Sequence, residues 1–342
     1  MQIRFLIRSR LTFALILGAF LACCNLSRGS TLTNGLLFHL SFDATNSDGV
    51  FLDDSGNGDN GTNEGASIAK GFIGAGAVSC TTAIDGTLFD YVTLGYPTNL
   101  QFDSTESFTI AFWTSFTNQE GDIPFISNKN WNSSGNQGWG IFTEPSSLRI
   151  NVTDGSGNKQ STENSPDLKA SGWHHICVTF DRGPAELVTL YVDGTNYPTA
   201  ASFSLANVTG DIDTISIPLA VNIGQDGTGT YTDGGGGEVT NMLMDDMAAW
   251  SRVLSSSEVA AIYQGGLGGS NILQVVTKLA PAVAGLTPAP GFVGATPNPA
   301  LGATITDKDL DANPATVTLS LDGTEVAATV SNTNGVTQVN YL

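Results

Sequence analysis

Histidine, cysteine and basic residues are all scarce in this chain, and each scarcity removes a class of function. Three histidines among 342 residues leave little material for general acid–base work. Two of them, His174 and His175, are adjacent, so a strand would point them to opposite faces and they cannot share a metal. Lysine and arginine total 13 against 32 acidic residues, a formal net charge of −19, and phosphate backbones repel such a chain, which excludes nucleic acid. No G-x-S-x-G elbow occurs. The paired carboxylates of a glycosidase strand are missing too: Glu120-Gly121-Asp122 is followed by Pro124 and Phe125 rather than a second Glu. The sequence reads as a non-enzyme. Beyond residue 22 no apolar run is long enough to cross a bilayer.

What is present begins with a secretory plan. Basic MQIRFLIRSR precedes apolar Leu11–Ala22 and then small or polar residues, the three parts of a signal peptide, taken as residues 1–29. The chain is expected to be secreted or held at the cell surface. Cys23 after Ala22 leaves a lipid anchor open, although Phe20 and Leu21 depart from a lipobox. In an oxidising compartment Cys80 and Cys177 either pair or stay as two buried thiols.

From residue 31 the pattern is β throughout. Residues 173–194 form two alternating strands about the turn Asp181-Arg182-Gly183-Pro184: Ile176, Val178 and Phe180 share one face, as do Val188, Leu190 and Val192. Phe108, Ile110, Phe112 and Phe116 mark another strand, with Trp113 opposite, and Phe38, Leu40 and Phe42 a further one that leaves His39 on the rim. Alternation at Ile215, Ile217, Leu219, Val221 and Ile223 predicts one more. Ser255 and Glu258 form a capping box that starts a short helix. Each apolar face needs a second sheet to cover it, so the fold class is an all-β, two-sheet jelly-roll sandwich over residues 31–268. A Pro/Gly-rich linker, 269–298, leads to a partial immunoglobulin-like β module at 299–342.

Several of these stretches resemble one family. The Trp173-His174-His175 opening, the strand ending Tyr191-Val192-Asp193-Gly194, the loop Asp54-Ser55-Gly56-Asn57-Gly58 after Phe42-Asp43, and the pair Asp245-Asp246 in the closing strand are similar to laminin-G-like, concanavalin A-like jelly-roll domains of secreted bacterial proteins. The resemblance covers about residues 36–266. It implies a structural calcium ion at the acidic loop 43–61, with Asp43, Asp54, Asn57 and Asp246 as its ligand set; an ordinary solvated loop is the alternative. It names no ligand, because the fold hosts unrelated functions.

Sugars stack on exposed rings beside hydrogen-bonding side chains. Trp131, with Asn130 next to it, and Tyr231 sit in polar loops and are the candidate platform; Trp131 folded over the sandwich end as a lid is the other reading. The expected function is non-catalytic binding or adhesion outside the cell, to a glycan or to a surface protein.

Overall fold

In the computed structural model the longest strand, Val239–Trp250, organises one sheet. Phe108–Ser115 pairs along one of its edges, while Gly76–Thr82 and Leu36–Leu40 share the other. His174–Asp181 and Leu187–Val192 continue the sheet antiparallel beyond Phe108–Ser115, and Ser67–Lys70 flanks Gly76–Thr82. The facing sheet runs Val50–Phe51, Gly61–Glu64, Phe89–Thr93, Asn222–Ile223, Pro124–Ser127, Gly138–Glu144, Ser147–Thr153 and Lys159–Thr162. Pairing of Thr81 and Thr82 with Asp90 and Phe89 joins the sheets at one corner. This is the two-sheet jelly-roll sandwich. The structure describes residues 2–5, 32–83, 85–116, 121–144, 147–162, 167–168, 172–197, 202–232, 239–275, 282–289, 300–306, 317–321, 324–333 and 336–341; Cys23, Glu120 and residues 6–31, 276–281 and 290–299 lie outside them.

Period-two alternation builds the core. Phe108, Ile110, Phe112, Ile176, Val178, Phe180, Val188 and Leu190 meet Phe125, Trp139, Ile141, Ile150 and Val152 of the other sheet. The opposite row, Ala111, Cys177, Tyr191, Ala248 and Trp250, is covered by the helix Ser256–Leu267 through Val259 and Ile262. Ser255 caps that helix with Glu258 as a reciprocal capping box.

One open alternative is decided and three expectations are corrected. Cys80 belongs to the inter-sheet core and Cys177 to the layer under the helix, so they face opposite sides of one sheet and remain free thiols rather than a disulfide. Burial raises both thiols well above their ordinary range. Residues 215–218 form a turn, not a strand: Ile217 N–H donates to Thr214 O, and only Asn222–Ile223 is extended. Ile215 and Ile217 are consequently exposed. His39 is fully buried rather than at the rim. Phe42 adopts a positive φ of 56° that ends its strand at Leu40.

The closing strand carries a bulge. Its register to Phe108–Ser115 shifts between Asp245 and Ala248, and Asp246 has φ 47°. The extra residue lets both carboxylates leave the inner face. Asp245 accepts from Phe72 N–H and Ile73 N–H at 2.8 Å each, and Asp246 accepts from Ile272 N–H at 3.1 Å and bonds His39 Nε2 at 2.5 Å. Burial still pushes Asp245 up to about 7.

The described residues separate into two compact units, 31–276 and a smaller one formed by 1–30 with 277–342. The smaller is an additional β module. Ala282–Thr287, Leu301–Thr306, Val336–Tyr341 and Thr329–Thr333 form one antiparallel sheet, and Gln2–Phe5 pairs parallel with Thr318–Leu321.

Candidate functional site

The acidic loop folds around one carboxylate. Asp53 accepts from His39 N–H, Ser55 N–H and Oγ–H, Gly58 N–H and Asp59 N–H. Burial opposes its charge, yet these donors outweigh it and hold Asp53 below the usual carboxylate range. Gly56 and Gly58, at φ 87° and 92°, give the chain the left-handed path this requires. Asn57 then ties the loop to the first strand, its Nδ2 donating to Leu36 O and Leu37 O at 2.8 Å each.

That loop is one wall of an open groove of about 600 Å³. Tyr96, Pro97, Asn99 and Ser251 also line it. Asn99 Nδ2 donates to Asp59 Oδ2 at 2.5 Å, fixing the walls to each other. Desolvation raises the Asp59 carboxyl, and the nearby Asp53 charge adds to it. Tyr96 is 65% exposed. The arrangement offers one uncovered aromatic ring, a carboxylate and carboxamides within a single concavity.

The predicted platform lies elsewhere and inward. Trp131 is 4% exposed, stacked on Phe142 with ring centres 3.8 Å apart. Its Nε1–H donates to Asp122 Oδ2 at 2.8 Å, and the Tyr231 hydroxyl donates to Asp122 Oδ1 at 2.5 Å. Asp226 accepts from Trp131 N–H at 2.9 Å. Asn130 is used in a local turn, its Oδ1 accepting from Asn132 N–H. Trp131 and Tyr231 do come together, but as a lock between two loops. Trp131 is buried between these loops, and Tyr96 is the exposed ring of the groove. A Gly95-Tyr96-Pro97 turn in a polar stretch was the signal for it; nothing in the sequence ranked it above Trp131.

Lys129, beside this lock, is fully buried, with Nζ donating to Asn151 Oδ1, Thr153 Oγ1 and Ser134 O. Desolvation lowers it to about 7. The unfolded chain therefore binds one more proton between pH 7 and about 10.5, and stability rises with pH across that window. The buried thiols oppose this only above pH ~8.5. Urea unfolding between pH 7 and 8.5 should show wild type gaining up to roughly 1.4 kcal/mol per pH unit on Lys129→Met; parallel curves would contradict it.

The four expected calcium ligands do not form one cluster. Asp43 accepts from Ala75 N–H and Gly76 N–H. Asp54 lies 3.6 Å from His39 Nδ1, with Asp246 on the ring's other nitrogen. Asn57 turns its amide nitrogen, not its oxygen, toward the strand. Oxygens facing N–H donors are poor cation ligands. Among the described residues no group of three His, Cys, Asp or Glu side chains could hold a metal ion. As placed, each of the four side chains meets a protein partner. The melting temperature of the full chain should agree within about 1 °C in calcium and in EDTA; a rise with calcium that Asp43→Ala and Asp246→Ala abolish would show otherwise.

The fold is a two-sheet jelly-roll sandwich with an open groove walled by the acidic loop. A family model for the concanavalin A-like lectin/glucanases superfamily matches residues 85–260, and the chain belongs to that superfamily. It is similar to the binding domain of Paraclostridial Mosquitocidal Protein 1 at 20% identity and a TM-score of 0.53, covering 68% of this chain and 52% of that one. The botulinum neurotoxin serotype G binding domain is similar at 17% identity, TM-score 0.48, over 67% and 50% of the two chains. At these identities the likeness is one of fold. Non-toxic nonhemagglutinin type D of Clostridium botulinum D phage is 29% identical over 104 residues, 30% of this chain and 8% of that protein. The chain thus spans about half of the solved domains and a small part of the curated relative.

Proposed function

We propose that this chain is an extracellular, non-catalytic module that binds carbohydrate in the groove beneath Tyr96. The exposed ring of Tyr96 in the same groove as the Asp59–Asn99 pair carries the reading: a sugar's apolar face stacks on a ring while its hydroxyls meet fixed polar groups. The lectin/glucanase family supports it, and the lack of a paired-carboxylate strand supports binding without hydrolysis. Tyr96→Ala removes the platform without touching the core. On a glycan array the variant should lose roughly three- to tenfold of the wild-type signal, about the 0.5–1.5 kcal/mol an aromatic contact contributes, with an unchanged melting temperature. Equal signals from the two proteins would overturn the reading.

A second reading is contact with a surface protein. The exposed apolar tip at Ile215 and Ile217 favours it, and a wild-type chain that binds no glycan would turn the assignment that way.

A further inference from the structure

Which sugars the groove accepts follows from the charge and hydrogen-bonding state of its walls, granted the carbohydrate reading above. Among the described residues its lining holds the Asp59 carboxylate and no lysine or arginine. Asp53 and Asp54 lie in the same loop, and the whole chain is strongly acidic. The nearest basic residue in sequence to the lining, Arg252, follows Ser251 but is already engaged: its guanidinium bonds both Glu258 oxygens at 2.7 and 3.0 Å, and its Nε–H donates to Asn34 O at 2.8 Å. A neutralised, tied-down guanidinium gives an anion in the groove no counter-charge.

The hydrogen-bonding groups lean the same way. Asn57 donates its amide nitrogen to Leu36 O and Leu37 O, and Asn99 donates to Asp59. Ser251 Oγ donates to Gly35 O at 3.3 Å. With these donors turned to the protein, the Tyr96 and Thr98 hydroxyls and one Asn99 N–H are the side-chain donors left in the lining, set among the carboxylate, carboxamide and hydroxyl oxygens that accept. Such a surface favours a partner that donates. Sugar hydroxyls and ammonium groups donate, whereas carboxylates, sulfates and phosphates only accept.

We infer that the Tyr96 groove selects donor-rich, non-anionic sugars, neutral hexoses or basic amino sugars, and rejects sialylated, uronic and sulfated glycans. The repulsion is a partly exposed charge effect, so it weakens as salt rises.

The test uses the full chain and two variants, Tyr96→Ala and Asp59→Asn, at low salt. The probes are cellohexaose and chitosan hexamer against hexagalacturonate and sialyllactose, measured by calorimetry. The expected result is binding of the first pair, lost in Tyr96→Ala, no detectable binding of the second pair, and a preference that narrows about tenfold in Asp59→Asn. Tighter binding of hexagalacturonate or sialyllactose, still lost in Tyr96→Ala, overturns the selectivity while the groove assignment stands. Binding of any probe that ignores Tyr96→Ala, or of none, overturns the groove and the selectivity with it.

Discussion

Trp131→Ala is expected to lower the melting temperature by roughly 10 °C. The indole is 4% exposed and stacks on Phe142, and truncating a buried aromatic costs about 3–5 kcal/mol. In a domain of this size each kcal/mol shifts melting by roughly 2–4 °C. The loss also removes the Nε1 donor from Asp122, which would then hold only the Tyr231 hydroxyl and the more distant Arg149 at 3.9 Å. Two loops that are far apart in sequence would lose their shared anchor. Trp131→Phe keeps the stacking and should lose about half as much, leaving the single hydrogen bond as the difference. Calorimetry on both variants checks this, alongside the glycan array. If Trp131→Ala melted like wild type yet lost glycan binding, the indole would be a platform after all.

Asp246→Ala is the second large effect. Asp246 and His39 are both buried, at 1% and 0% exposure, and meet at 2.5 Å. Removing one partner of a buried pair leaves the other without compensation, a loss of about 3–5 kcal/mol. Ile272 N–H would lose its acceptor as well. The backbone adds a further increment: position 246 has φ 47°, a conformation that asparagine tolerates and alanine does not. Asp246→Asn should therefore retain much of the stability that Asp246→Ala forfeits. Urea unfolding separates the two, and equal losses in both variants would mean that charge pairing with His39, rather than acceptor geometry or backbone shape, is what matters here.

The fold was legible because one-sided burial forces period two on a strand. Phe108, Ile110 and Phe112 face the core and Trp113 does not, as their alternation requires, and Ser255 with Glu258 caps the helix where the motif predicted. Alternation failed at Ile215 and Ile217, where a four-residue turn left both side chains in solvent. Local pattern cannot distinguish an apolar strand from an apolar loop tip when no partner strand is specified.

The site was less legible, since exposure is a tertiary property. Trp131 and Tyr96 both stand in polar surroundings in the sequence; only the folding of residues 128–137 against the Asp226 loop buries one and leaves the other open. The same holds for charge. The sequence by itself determined an all-β sandwich and a strongly acidic composition, because these depend on residue content and on short-range periodicity. The tertiary structure alone decided that Cys80 and Cys177 face opposite sides of a sheet, that His39 lies between Asp54 and Asp246, and that the loop 53–59 walls a groove. Each of those rests on contacts between residues tens to hundreds of positions apart, which no local pattern encodes.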